Sequence, residues 1–386
     1  MAEHDRPLRI ALVTDAIGPF HHGGKEQRYL ELAPRLADTA EVHVYTMNWW
    51  RGGPVRRDGQ VVYHAICPFM PLYRHGRRSI RQAVLFALAC LRLLFASFDV
   101  LEADHMPYLQ LVVLKLVTLI RRRGFVITWH EFWGVEYWRS YLGLAGRIGA
   151  AVEGIAVRLP HAIIAASPET AERVREEAPT RVRVISAPNG IDLNQIDAIE
   201  PLAGSEDVVT VARLLDHKRV DLLLDAVAIL RRDGLPLSVG VIGSGSERHA
   251  LGLQTTRLDL DDLVTFYDNV RDHSELLSRV KGARVAAFPS QREGFGIAVL
   301  EALACGTPVV TTRAPDNFAQ HLIERSGGGG IICDPSSEGL AQAIRKQLQS
   351  DRGGAQRAWL EAHDWNAVAA DVLATLVAVR ARHSRG

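Results

Sequence analysis

Two glutamates, Glu293 and Glu301, enclose the run Gly294-Phe295-Gly296-Ile297-Ala-Val-Leu. Glycines at 294 and 296 let the chain turn sharply and lay its N–H groups bare. The apolar residues after them suit a helix from about Ile297 that stops at Gly306, with Pro308 just beyond. The N-terminal end of such a helix draws anions, phosphate above all. Two carboxylates about two turns apart could grip hydroxyls at separate places on one long ligand. They could also act as acid and base, or as nucleophile, in a hydrolase. The spacing weighs against the hydrolase, because the first sits in the turn and the second two helical turns on. An anion site, bare N–H groups and two carboxylates together suit a sugar joined to a diphosphate.

Other residues could complete that chemistry. Arg213 and Lys218 stand five apart in a loop just after an apolar run. Arginine offers phosphate a planar fork and lysine a point charge, so together they can do a cation's work on a departing phosphate. No carboxylate cluster is read as a metal site. His130 follows the strand-like Gly124-Phe-Val-Ile-Thr-Trp129. In open parallel sheets ligands bind beyond the carboxyl ends of the strands, which suits His130, although a lone histidine is more often structural. Trp133, Tyr137, Trp138 and Tyr141 could stack on a sugar ring or an apolar acceptor; they could equally be a packed loop. Gly23-Gly24 ahead of a helix of about Lys25 to Leu36 could present N–H groups to a phosphate, or merely turn the loop. G-x-G-x-x-G is missing here, so NAD is a weak reading.

The elements that must position these residues alternate. Leu8–Val13, Glu41–Tyr45, Gln60–His64, Ser97–Glu102, Gly124–Trp129, His161–Ala166 and Val182–Ile185 read as strands. Helices are expected between them, including Leu109 to Arg123 and one opening at Ser167-Pro168. Residues 74–98 read as one basic amphipathic helix, with Arg74, Arg77, Arg78 and Arg81 ahead of a Leu/Phe-rich body. That pattern fits an interfacial membrane helix. A buried domain helix with a solvated basic start is favoured, because a strand follows at once. After the turn Pro188-Asn-Gly the rhythm restarts with Val208–Val211, Ser238–Ile242, Leu263–Phe266, Val285–Phe288 and Val309–Thr312. Two doubly wound α/β domains follow, 1–190 and 191–363, with a last helix (364–386) long enough to cross back onto the first.

Composition agrees with that division and excludes other classes. At 386 residues the chain is too long for one ordinary core. A net charge of +1 excludes a nucleic-acid polycation. Residues 1–190 hold 24 Lys/Arg against 18 Asp/Glu, a balance of +6, and the remainder 21 against 26, a balance of −5. A mildly basic first half suits an anionic partner such as a phospholipid surface; ordinary surface variation explains it as well. Cys67, Cys90, Cys305 and Cys333 lie far apart, which argues against a disulfide framework or zinc knuckle and fits a reducing cytoplasm. The polar, acidic start carries no signal h-region. The most apolar run, Ala83 to Leu91, is broken by Arg92 and is too short for a membrane span of about 20 residues. The expected location is cytoplasmic, with peripheral contact at the inner membrane face open.

At this point the residues resemble a known family, the retaining GT-B glycosyltransferases of family GT4. Glu293-Gly-Phe-Gly-(x)4-Glu301 resembles the family's E-x7-E signature. Gly23-Gly24-x-Glu26 is similar to its N-terminal loop, His130 to its histidine after a strand, and Pro188-Asn-Gly-Ile-Asp192 to its interdomain motif. Val211-Ala-Arg213 with Lys218 resembles its R…K pair, and Cys305-Gly-Thr-Pro-Val-Val its G-x-P-V-V strand entry. Each is weak alone; six in order over nearly the whole chain are specific for the family, though not for one member.

The resemblance implies two facing Rossmann-like domains with the active site between them, the acceptor on the first and the nucleotide-sugar on the second. It implies that Arg213 and Lys218, with the Gly24 N–H, hold the diphosphate. Glu301 would bind the ribose and Val270 lie by the base. Glu293, with the N–H groups of Phe295, Gly296 and Ile297, would grip the sugar hydroxyls and phosphate, and His130 would touch the sugar near its reacting carbon. It further implies retention of anomeric configuration by front-face transfer, the leaving phosphate taking the acceptor proton, with no metal or other cofactor. Asp268-Asn269-Val270 departs from the family's Gly-x-Val beside the base, so UDP- and GDP-sugars both stay open. The acceptor is a hydroxyl on a glycan, a lipid-linked molecule or a small molecule, read through loops around His21, His22 and 131–141. Cell-envelope glycan or glycolipid synthesis is the favoured setting. Alternatives are glycosylation of a secondary metabolite, a GT-B isomerase or phosphorylase (which would usually need a pyridoxal-phosphate lysine, none being evident), and a catalytically silent sugar-nucleotide-binding protein.

Overall fold

The structure, a computed structural model, describes residues 6–21, 23–74, 77–268, 270, 272–350 and 354–383. His22 and Asn269, named above, lie outside the described residues. The chain forms two compact units, 1–189 with 365–386, and 190–364.

The first unit is built on strands β1 (Arg9–Val13), β2 (Glu41–Met47), β3 (Val55–Asp58), β4 (Val61–Cys67), β5 (Tyr73–Arg74), β6 (Arg77–Arg78), β7 (Val100–Asp104), β8 (Gly124–Trp129), β9 (Ala162–Ala165) and β10 (Arg183–Ser186). Eight of them form one sheet in the order β10-β9-β8-β7-β1-β2-β4-β3 among the described residues. Its pairs are parallel except the edge pair β3–β4. Helices cover both faces, so the central strands are apolar on both sides. Ile10 and Leu12 face one core with Tyr29 and Leu32, whereas Ala11 and Val13 face the other with Phe86 and Leu111.

The last helix, Trp365–His383, belongs to this first unit. Trp365, Val368, Val372, Leu376 and Val379 form its buried stripe, spaced as one helix face. Burying five such side chains is worth roughly 8–15 kcal/mol gross of chain ordering. The helix approaches β8 so closely that a Cβ at Gly124 would sit 2.6 Å from Val379 Cγ1. Only glycine admits that contact.

One sequence expectation is corrected here. Residues 74–98 are not a single helix. Tyr73–Arg74 pairs antiparallel with Arg77–Arg78, a helix runs from Ile80 to Ala89, and a 3-10 turn follows over Cys90–Phe95. The reason is a cap: Ser79 Oγ accepts from the Gln82 N–H at 3.3 Å and starts the helix after most of the arginines. Arg74, Arg77 and Arg78 thus precede the helix, and Arg81 alone of the four lies in its first turn.

The second unit repeats the plan with β11 (Val208–Val211), β12 (Val239–Ile242), β13 (Val264–Tyr267), β14 (Val285–Phe288), β15 (Arg292–Glu293), β16 (Val309–Thr312), β17 (Asp316–Asn317) and β18 (Gly330–Cys333). Six make a parallel sheet in the order β13-β12-β11-β14-β16-β18, and β15 pairs with β17 beside it. Val208 and Val209 again point into opposite cores. Open parallel sheets of this kind collect their functional loops at the carboxyl ends of the strands.

Candidate active site

In the first unit three neighbouring parallel strands end together. Asp15 follows β1, Asp104 and His105 close β7, and His130 follows β8. Lys25, in the first turn of the helix Gly24–Ala37, reaches back to them. Its Nζ lies 2.8 Å from Asp15 Oδ1 and 2.6 Å from Asp104 Oδ2, and both carboxylates have 0% side-chain exposure. Arg78 at 2.9 Å and Gln82 at 3.0 Å complete the shell of Asp15. Burial opposes the Lys25 charge, but Asp104 and Asp15 together outweigh it and hold the ammonium pKa above its ordinary value. Burial likewise opposes Asp104, yet Lys25 and His105 hold its carboxyl well below the usual range.

His130 sits beside this cluster without joining it. Its Nε2 is 3.8 Å from Asp104 Oδ1, too far for a hydrogen bond, and has no hydrogen-bond partner among the described residues. Burial drives the imidazole pKa well below its ordinary value, against the pull of Asp104. A neutral imidazole with an unengaged nitrogen can hydrogen-bond a hydroxyl but is a poor base. Gly24 is the first residue of its helix, whose N-cap Gly23 supplies no side-chain cap.

In the second unit the loop after β11 carries Arg213, exposed and without an ion pair among the described residues. The loop is pinned through its backbone: Ala212 N–H donates to Ile242 O at 3.1 Å and Leu214 N–H to Ser244 O at 2.8 Å. A 3-10 turn, Asp216–Lys218, then aims Lys218 at Glu293 Oε2, which it contacts directly. The two loops are also tied by Gln291 N–H donating to His217 O at 2.8 Å. Burial first, then the Lys218 charge, pushes the His217 imidazole down to about 4. Glu293 is fixed in turn by the short pairing of Arg292–Glu293 with Asp316–Asn317, and its carbonyl accepts from Phe318 N–H at 2.9 Å.

The turn after Glu293 meets expectation in its geometry. Phe295 is buried in the core, and Gly296 takes φ +95° as N-cap of the helix Ile297–Ala304, which no side chain caps. A Cβ at Gly296 would lie 2.6 Å from Ala319 Cβ and 3.4 Å from Glu293 Cγ. The glycine therefore keeps an uncapped helix start beside the Lys218–Glu293 pair. Glu301 projects further along the same helix, 8% exposed, and its Oε1 lies 3.1 Å from His273 Nε2. Val270 packs half-buried against the same core. The structure thus brings Lys218, Glu293, Gly296 and Ile297 together and sets Glu301 with His273. Arg213 flanks them on its own loop, and His130 and Gly24 belong to the first unit.

Several residues of this chemistry escape sequence reasoning. Asp104 and His105 follow the strand that the pattern reads as ending at Glu102. The logic that selects His130, a polar residue just past a parallel strand, selects them too. The Lys25–Asp15–Asp104 contact joins the first turn of a helix to the ends of β1 and β7 and leaves no local signal. Glu301–His273 spans 28 residues with none either. The aromatic run 133–141 is neither a loop nor an open stacking face: Gly134–Leu142 is a helix, with Trp133 at its N-cap and Trp138 buried. Trp133 and Gly134 N–H, Trp138 Nε1–H and Tyr108 O–H all donate to buried Glu153, at 3.0, 2.8, 3.0 and 2.8 Å.

Two parallel α/β units, the second with a cationic loop, an uncapped glycine-started helix and two spaced carboxylates, define a GT-B type of molecule. The sucrose-phosphate synthase of Thermosynechococcus elongatus shares the fold, with a TM-score of 0.71 over 98% of both chains at 19% identity. The model for Glycosyltransferase Family 4 matches residues 22–195, and that for Glycosyl transferases group 1 matches 194–363. A glycogen synthase of Mycobacterium tuberculosis is 31% identical over 56% of this chain and 52% of its own. A GDP-mannose-dependent alpha-(1-6)-phosphatidylinositol dimannoside mannosyltransferase of the same species is 31% identical over 45% and 44%. The chain spans about half the length of these curated relatives. It belongs to glycosyltransferase family GT4, the group 1 glycosyl transferases.

Proposed function

We propose that the protein moves a hexose-type sugar from a UDP- or GDP-sugar to an acceptor hydroxyl, retaining the anomeric configuration. The observation that carries this is the Lys218–Glu293 contact beside the uncapped start of the helix Ile297–Ala304. Lys218 and Arg213, with the Gly24 N–H, take the diphosphate charge that a metal would otherwise offset. The N–H groups of Phe295, Gly296 and Ile297 serve the phosphate and sugar, Glu293 the sugar hydroxyls, Glu301 the ribose, and Val270 the base. The C1–O bond to phosphate breaks as C1 bonds the acceptor oxygen on the same face. The acceptor proton passes to the leaving phosphate oxygen. The depressed His130 pKa supports that route, since a poorly basic imidazole beside the sugar is suited to hydrogen bonding and not to proton removal.

The acceptor is a glycan, lipid-linked or small-molecule hydroxyl, with cell-envelope glycan or glycolipid synthesis the favoured setting. Two observations support a lipid-linked acceptor at a membrane surface. A relative acts on a phosphatidylinositol dimannoside, and the first unit exposes Ile80, Val84, Leu88 and Phe95. No described helix is long and apolar enough to cross a membrane, so contact would be peripheral. The test is a panel of nucleotide-sugars against glycan, lipid-linked and simple alcohol acceptors in the presence of a chelator. Release of UDP or GDP with a matching mass gain on an acceptor is expected. Binding of nucleotide-sugar without transfer to any acceptor would favour a silent binding protein instead.

A further inference from the structure

The first unit has a second charged cluster at the opposite edge of its sheet from Asp104 and His130. Strands β8, β9 and β10 run parallel, so the residues that lead into them gather at the amino edge. His161 leads into β9, and Arg181 and Arg183 lie at the start of β10. With Lys115, Arg158, Arg382 and His383 they line a cavity of about 440 Å³. Its lining includes five cationic side chains and, among the described residues, no carboxylate. None of the five forms an ion pair among the described residues. Arg158 donates to Gly154 O and Arg181 to Arg158 O at 3.2 Å, contacts that leave the charge unneutralised.

The histidines do not relieve this. His161 Nδ1 accepts from Phe125 N–H at 3.0 Å, and the His383 ring lies 3.8 Å away, its Nδ1 held 2.8 Å from Val379 O. Burial first, then Lys115 and His383, hold the His161 imidazole down at about 4. Lys115 is also pushed down, by burial and then by Arg181. Like charges concentrated in one concavity oppose folding unless an anion offsets them. Several arginine forks converging on one space match phosphate oxygens better than any neutral ligand. The volume lies in the range of small-molecule sites and exceeds the needs of one bare phosphate.

We propose that this cavity is a second, non-catalytic site for a phosphate-bearing anion. The source is a soluble phosphate compound or the headgroup of an anionic lipid. The second source has its own support: Lys115 lies on a helix that exposes Val112, Leu116, Leu119 and Ile120. The proposal does not rest on the sugar-transfer reading, since the site stands at the other edge of the sheet.

The test uses the full chain without added nucleotide, with Lys218→Ala run alongside so that pyrophosphate held at the nucleotide site is told apart. Inorganic pyrophosphate is titrated by calorimetry, and capture by phosphatidylcholine vesicles is measured with and without phosphatidylglycerol. Wild type should bind at least one probe, and R181Q/R183Q should weaken that binding by about tenfold or more. Nucleotide affinity should stay as in wild type, and the melting temperature without anion should not fall. R382Q, at the exposed end of the last helix, should weaken the same binding and decides the matter if the double variant does not fold. Loss of pyrophosphate binding assigns a soluble ligand; loss of phosphatidylglycerol-dependent capture assigns the headgroup. The proposal is overturned if wild type ignores both probes, or if the folded variants bind as wild type does.

Discussion

Replacing Lys218 by alanine separates binding chemistry from folding. In the structure the ammonium contacts Glu293 Oε2, with side-chain exposures of 11% and 26%. Solvent reaches the carboxylate, so losing this pair costs stability only about 0–1 kcal/mol. The backbone bond from Lys218 N–H to Leu215 O, 2.9 Å, survives the substitution. A lost charge-assisted contact to diphosphate costs far more, about 1.5–3 kcal/mol, or roughly tenfold to a hundredfold in affinity. Transfer should fall further, by about 10²–10³, because charge on the leaving phosphate grows in the transition state. Glu293→Gln makes the converse case. It frees Lys218 and removes a negative charge beside the phosphates, so UDP or GDP should bind as well as to wild type or more tightly, while the sugar part loses its grip. Calorimetry with UDP and GDP, then with their sugars, reads both variants against melting temperature. A folded Lys218→Ala protein that binds nucleotide within about twofold of wild type would refute the reasoning.

Three further outcomes follow from particular contacts. Gly296→Ala places a methyl 2.6 Å from Ala319 Cβ at φ +95°, which should destabilise by about 2–4 kcal/mol and cut nucleotide-sugar binding; an unchanged melting curve would show that the turn relaxes freely. Lys25→Met leaves Asp15 and Asp104 buried without their shared ammonium, an expected loss of about 3–5 kcal/mol in urea unfolding, partly recovered as pH falls and the carboxylates protonate. His217, held down at about 4 by burial and Lys218, takes up its proton more readily unfolded than folded. Its contribution therefore costs nothing above about pH 6.5 and destabilises progressively as pH drops toward 4. His217→Asn should flatten the acid limb of stability over that window; identical limbs in the two proteins would remove the residue from that role.

Much of the fold was legible because parallel strands buried on both faces read as short apolar runs. Val208–Val211 and Val285–Phe288 are found where such runs stand, and the last helix shows its stripe from Trp365 to Val379. Residues 74–98 misled because apolar periodicity does not register where a cap falls, and Ser79 cuts the expected helix short. The glycine turn after Glu293 could be read locally, since glycines, carboxylates and helix start are contiguous. The Lys218–Glu293 contact could not, being made by residues 75 apart. The aromatic run 133–141 turned on a residue outside it, Glu153, whose buried carboxylate holds the start of the helix Gly134–Leu142 and its Trp138.

The central claim is that the second unit holds a nucleotide-sugar through side chains and helix N–H groups, with no metal ion. Saturation-transfer NMR with UDP- and GDP-sugars in excess chelator tests it most directly. The account predicts enhancement of base, ribose and sugar protons for at least one of them, with the ribose signal falling in Glu301→Ala. No enhancement from any nucleotide-sugar in chelator, with binding restored by a divalent cation, would contradict it.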